Sequence, residues 1–235
     1  MPFLLLQALA RWLHFAGYAL AFGPIAFRAL VLGAPDRSAA HERLQRLSHA
    51  GIVLLLAAEP ITLMTSGLGP TTALRLGAPL LLWSFAGALA RAGGGQDWPL
   101  LLLGLGLAAV DGGGSLLALH LAAMGLWGGG LASLLAVWPM VPQGTDRALV
   151  AARFGRLAAL AVLLLAASGT FLAATHVSSP GELITTLWGR VLIAKLAGVT
   201  VALLLAWRRL WHYELWLQTL VLALAALLAT IPPPH

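Results

Sequence analysis

His120 and Met124 stand four residues apart in an apolar run over residues 119–131, so on a helix an imidazole nitrogen and a thioether sulfur share one face. Both are ligands for a soft or borderline metal such as copper. A histidine in such a run is costly to bury against lipid and asks for a partner, a metal or a cofactor. A hydrogen bond to a neighbouring helix would answer that need as well as a metal would, so these two residues alone leave the chemistry open. His14, in the stretch Arg11-Trp12-Leu13-His14, is a second histidine of the same kind, with Tyr18 where a thioether would stand. Glu59, Asp111, His176 and Lys195 are further polar groups within or at the ends of apolar segments.

Each of these has a structural reading beside the chemical one. Glu59 precedes Pro60 and can satisfy groups freed by a kink, or pair with Lys195 or Arg75. Lys195 can snorkel along its own stem to the headgroups. His176, beside Val177-Ser178-Ser179-Pro180, reads as loop-exposed, and His49 lies near Arg43 and Arg46, where a headgroup contact fits better than ligation. His41, His212 and His235 read as interfacial or terminal. Met64 and Met140 fall near helix ends, where ordinary packing explains a methionine.

The elements that must position these groups are helices in a membrane. Of 235 residues 60% are hydrophobic and 9% charged, with Leu/Ala runs from end to end, the composition of an integral membrane protein. The chain has 14 Lys+Arg against 8 Asp+Glu; these basic groups flank apolar segments, so anionic headgroups are their neighbours and no nucleic acid partner is expected. With no cysteine, thiolate metal sites, iron–sulfur ligation and covalent haem attachment are excluded, and a bound metal must use His, Met and carboxylates. No Walker A sequence, Gly-x-Ser-x-Gly elbow, His-Glu-x-x-His or Asp-Lys-Thr-Gly is present, which points to a transporter or metal-binding protein rather than an enzyme. The opening residues lack a basic region and a cleavage site, so the first segment is expected to stay as a helix, with residues 2–10 at the interface.

Apolar segments near 12–32, 44–66, 74–92, 98–112, 115–138, 154–175, 187–207 and 213–231 are about 20 residues long, the length that crosses a hydrocarbon core. The fold class is therefore all-α, a polytopic bundle of about eight transmembrane helices; the fourth is short and ends at Asp111-Gly112-Gly113-Gly114, which reads as a tight turn. Tryptophans 12, 98, 138, 188, 207, 211 and 216 mostly fall at helix ends, as in an aromatic belt. Ten basic residues belong to the side holding the odd-numbered connections and four to the other, which puts those connections in the cytoplasm and both termini in the periplasm.

Residues 13–31 laid over 119–137 match at Leu13/Leu119, His14/His120, Ala16/Ala122, Leu20/Leu126, Gly23/Gly129, Ala26/Ala132 and Val31/Val137, at an offset of 106. Arg43-x-x-Arg46-Leu47 answers Arg153-x-x-Arg156-Leu157, and residues 54–58 answer 163–167. Two halves are expected, 1–112 and 113–235, each of four helices. An even number of crossings makes the repeat parallel, with its axis along the membrane normal. His14 and His120 then lie at matching depths in the outer part of the membrane. Small residues near Gly23 and Gly129 favour an interface between the two histidine-bearing helices.

The helix of His120 with Trp127-Gly128-Gly129, the start Arg153-Phe154-Gly155-Arg156-Leu157, the segment Trp188-Gly189-Arg190-x4-Lys195 and the closing Ala229-Thr230-Ile231-Pro232-Pro233-Pro234 resemble the copper resistance protein D family, best over residues 115–235. The resemblance implies a polytopic protein of the bacterial inner membrane linked to copper uptake or tolerance, working beside a small periplasmic copper-binding protein. Joined to the His/Met/carboxylate grouping on the outer face, it makes copper the expected ion at His120, Met124 and His14. Where the family commonly has Gly-His before the His120 helix this chain has Asp111-Gly112, leaving Asp111 as the substitute ligand. The histidine-plus-lysine pattern also resembles small membrane haem proteins of the protoporphyrinogen oxidase type. That alternative would set His14, His120 and Lys195 around a haem b.

Overall fold

Pro2–Phe27 form α1, which runs on through a π-helical turn at Arg28–Leu32; Ser38–Ser66 form α2, Thr72–Arg91 α3 and Trp98–Gly112 α4. Ser115–Met124 (α5), a π-helical turn at Gly125–Gly129 and Gly130–Val137 (α6) make one interrupted helix. After a 3-10 turn come α7 (Thr145–Ala174), the short α8 (Glu182–Thr185), α9 (Leu187–Trp207) and α10 (Trp211–Leu228). This computed structural model describes residues 2–32, 38–67, 72–91, 98–112 and 115–234; the side chains of residues 2, 38, 66, 85–91, 98, 111 and 112 lie outside that description. Among the described residues there is no strand.

Among the described residues six helical stretches are long and apolar enough to cross a membrane: Phe3–Leu32, Ala39–Thr65, Ser115–Met140, Thr145–Ala174, Leu187–Trp207 and Trp211–Leu228. Helices α3 and α4 form where the apolar pattern predicts them, but the apolar stretch of α4, Pro99–Val110, is shorter than these six. Helix α4 also runs through Asp111 and Gly112, where a turn is expected from sequence; Gly113 and Gly114 lie outside the described residues, as do Arg37 and His235. The N-terminal residues join α1 without a break.

The most apolar windows of α1 and of the interrupted helix are each 67% buried, against 11% to 33% for the other four spans, so these two form the centre of the bundle. Apolar burial does not drive helices together in lipid; close backbone approach does. The sequence supplies it with glycine. A Cβ at Gly23 would strike the backbone of Gly129 and Gly125, and one at Gly129 would strike the carbonyl of Ala19 and Gly23. Gly17 and Gly51 similarly let α1 and α2 touch. Around these crossings one apolar cluster gathers Tyr18, Phe22, Ile52, Leu55, Leu107 and Leu121, and a second gathers Phe27, Val31, Leu44, Leu134, Val137 and Phe154.

Threonines on the spans are satisfied within their own helix, as suits a medium without water. Thr62, Thr65, Thr170 and Thr200 each donate to the carbonyl four residues back. At the end of the bundle where α2 and α7 begin, two arginines reach across to spent helix termini. Arg43 donates to the Ala136 carbonyl (3.1 Å) and Arg153 to the Val31 carbonyl (3.3 Å). Carbonyls in the last turn have no donor partner within their own helix, and a cation there also meets the negative end of the helix dipole.

Candidate functional site

His120 sits on α5 one turn inside its start, and its Nδ1 lies 2.9 Å from the Ser168 hydroxyl of α7. Ser168 donates its own proton to the Leu164 carbonyl at 2.6 Å. A hydroxyl has one proton, so toward His120 it accepts, and Nδ1 carries the hydrogen. The neutral ring therefore holds its lone pair on Nε2, the arrangement in which a hydrogen bond on one nitrogen orients the other for a metal. Gly169 completes the seat, because a Cβ there would stand 3.3 Å from His120 Cε1. Lys195 of α9 is near enough to His120 for their charges to interact.

His14 of α1 faces α2. Its Nδ1 lies 3.8 Å from Oε1 of Glu59, which is 2% exposed. That separation is an ion-pair distance and longer than a direct hydrogen bond. Ser168 follows residues 163–167 as Glu59 follows the matching residues 54–58, so the two histidines at offset 106 meet matching positions on the next long helix. The partner is a carboxylate in one case and a hydroxyl in the other.

Met124 is half-buried and packs against the cluster around Tyr18 and Phe22. The Asp111 side chain lies outside the described residues. His176 is half-buried and stacks on Trp188 with ring centroids 5.6 Å apart, and its Nδ1 is 2.7 Å from the Leu172 carbonyl, so it is more enclosed than a loop reading expects. His49 stacks on Trp83 with ring centroids 4.3 Å apart. Among the described residues no three His, Cys, Asp or Glu side chains converge on one point.

Sequence reasoning missed one polar cluster. Glu214, 2% exposed, accepts from Trp127 Nε1 (3.2 Å) and from Gln218 Nε2 (3.1 Å). The signal was available: Glu214 and Gln218 are four residues apart on a helix, and an acidic group in a span demands a partner. Trp127, grouped with the family motif, is in fact the buried donor that ties the interrupted helix to α10. Trp12 ties α1 to the same helix through the Thr219 carbonyl at 3.2 Å.

These features define a multi-pass helical membrane protein with two histidines, each facing a polar residue on the next long helix. The family model described as copper resistance protein D matches residues 148–213, and over that segment the chain is similar to that family. The match takes in Ser168, the segment around Trp188 and Lys195, and the corner between α9 and α10. No curated protein and no solved structure matches the chain. The match supports copper as the relevant metal, and neither it nor the geometry adds support to the haem alternative.

Proposed function

We propose that the protein is a copper handler of the bacterial inner membrane that takes the ion at its periplasmic face, at His120, and passes it inward or holds it for delivery. The observation that carries this reading is the copper resistance match over residues 148–213. The seat of His120 supports it, since Ser168 and Gly169 fix a ring whose Nε2 bears the lone pair. His14, Met124 and Asp111 are the further ligands of the proposal, and a small periplasmic copper-binding protein its donor. Copper here is cargo. A conducted ion must be bound weakly enough to leave, and the Lys195 charge near His120 opposes a resident cation in that sense. Glu59, facing His14, is a harder ligand in the first half of the chain, suited to Cu(II) rather than Cu(I).

The proposal includes eight transmembrane helices in two parallel four-helix repeats with both termini periplasmic. Contacts across the central crossing support the repeat. A two-fold interface pairs residue i with j and the equivalents of j with i. Gly23 meets Gly129, its own equivalent at offset 106; Gly23 also meets Gly125, and Gly129 meets Ala19, which are equivalents of each other. The arginine caps repeat the pattern, Arg43 serving the end of the later helix and Arg153 the end of α1.

Copper accumulation in cells expressing wild type or His120→Ala, with membrane levels matched, tests the reading. Wild type should raise or redistribute cellular copper and His120→Ala should not. Equal accumulation in both would remove His120 from the path, and an intense Soret band in the purified wild type would favour the haem alternative.

A further inference from the structure

A cavity of about 940 Å³ opens between α7 and the corner where α9 passes into α10. Ala161 and Ala202 share a packed cluster with Trp127, and the cavity runs along α7 from Arg147 to Leu163, with Leu203, Ala206 and Arg209 on its far side. Its walls below the mouth are apolar, formed by Gly155, Ala159, Leu163 and Leu203. At the mouth stand Arg147, Arg209, Trp138 and Trp211, a pairing of guanidinium and indole that suits the headgroup level of a bilayer.

Among the described residues neither arginine pairs with a carboxylate. Arg147 donates from one terminal nitrogen to the Trp138 carbonyl (3.2 Å) and lies 5.0 Å from that indole ring, but its enclosed Nε has no hydrogen-bond partner among the described residues. Arg209 is held at φ 57°, the one positive-φ non-glycine residue among those described, a conformation L residues seldom adopt. Glu214 lines the same cavity, with Oε1 engaged by Trp127 and Gln218.

We propose that this cavity is a binding site for one phospholipid of the adjoining leaflet. Its phosphate is held by Arg147 and Arg209, its acyl chain lies along Gly155, Ala159 and Leu163, and a headgroup donor, hydroxyl or ammonium, reaches Glu214. Two guanidiniums and two indoles at the mouth, with apolar walls behind them, match the phosphate and the acyl chain of a lipid. Basic pockets between transmembrane helices select headgroups by charge in this way.

Native mass spectrometry of the delipidated full chain, titrated with phosphatidylglycerol, phosphatidylethanolamine, phosphatidylcholine or diacylglycerol, tests the assignment. Wild type should retain one phosphatidylglycerol or phosphatidylethanolamine, hold phosphatidylcholine less and lose diacylglycerol. Gly155→Leu fills the cavity at a position where an added Cβ meets nothing within 4 Å, and Arg209→Gly removes a guanidinium where glycine relaxes the backbone. Each should lower occupancy about five-fold or more, the effect of one cation at a lipid headgroup, without lowering the lipid-free melting temperature. Equal occupancy in both variants and wild type, binding indifferent to the headgroup, or a retained polypeptide in place of the lipid would overturn the assignment.

Discussion

At the scale of the residue, the informative contact is the one that sets a proton. Ser168 spends its hydrogen on Leu164, so His120 Nδ1 must donate and Nε2 must present a lone pair. Ser168→Ala should therefore weaken copper binding by about 10- to 100-fold, the usual cost of removing such an orienting partner, while leaving stoichiometry intact at saturating copper; isothermal titration checks this. Lys195→Met should act in the opposite direction, tightening binding by removing a charge that opposes the ion. An unchanged affinity in both variants would detach the seat of His120 from metal binding. His120 was legible in the sequence because a histidine in an apolar run is rare and costly. Ser168 was not, because the rotation of α7 that turns it toward α5 depends on packing and leaves no local mark. Glu214 escaped for another reason: so close to the start of its helix it looks like an interfacial carboxylate, and only the fold turns it inward to Trp127.

At the scale of the element, the glycine crossing of α1 and the interrupted helix decides the architecture. Gly129→Ala would press a methyl group onto the Ala19 carbonyl, and overpacking of this kind costs about 1–3 kcal/mol. Gly106 on α4 has nothing within 4 Å of an added Cβ, and glycine to alanine in a helix interior there should instead gain about 0.5–1 kcal/mol. The paired variants should move the melting temperature in detergent in opposite directions. A Gly129→Ala protein as stable as Gly106→Ala would mean that the close approach is not needed. The helices themselves were readable, since runs of about 20 apolar residues have few other uses. Small residues near Gly23 and Gly129 likewise pointed to an interface between their helices, and the two glycines meet there. The π-helical turns were not readable, because an extra residue in a turn is set by the neighbour it accommodates.

At the scale of the whole molecule, the absence of cysteine makes orientation directly measurable. Ser178 lies between α7 and α8, and Gln143 lies in the connection before α7. With both termini periplasmic, Ser178→Cys should react with a membrane-impermeant thiol reagent in intact cells from which the outer membrane has been removed, and Gln143→Cys only after lysis. The reverse pattern would turn the histidines toward the cytoplasm and make the proposed route an export route. The reciprocal arginine caps also bear on this scale, since Arg43 and Arg153 each close the other half of the chain. A half expressed alone would leave those carbonyls without their partner.

The central claim is that His120 binds copper, and the most direct measurement is the copper content of the detergent-purified protein after equilibration with the metal and removal of the excess. Wild type should retain copper in fixed stoichiometry, and His120→Ala, monodisperse and still helical, should lose the copper held by that ring. Equal copper in the two proteins, with the variant merely melting earlier, would contradict the claim and make His120 a structural hydrogen-bonding residue.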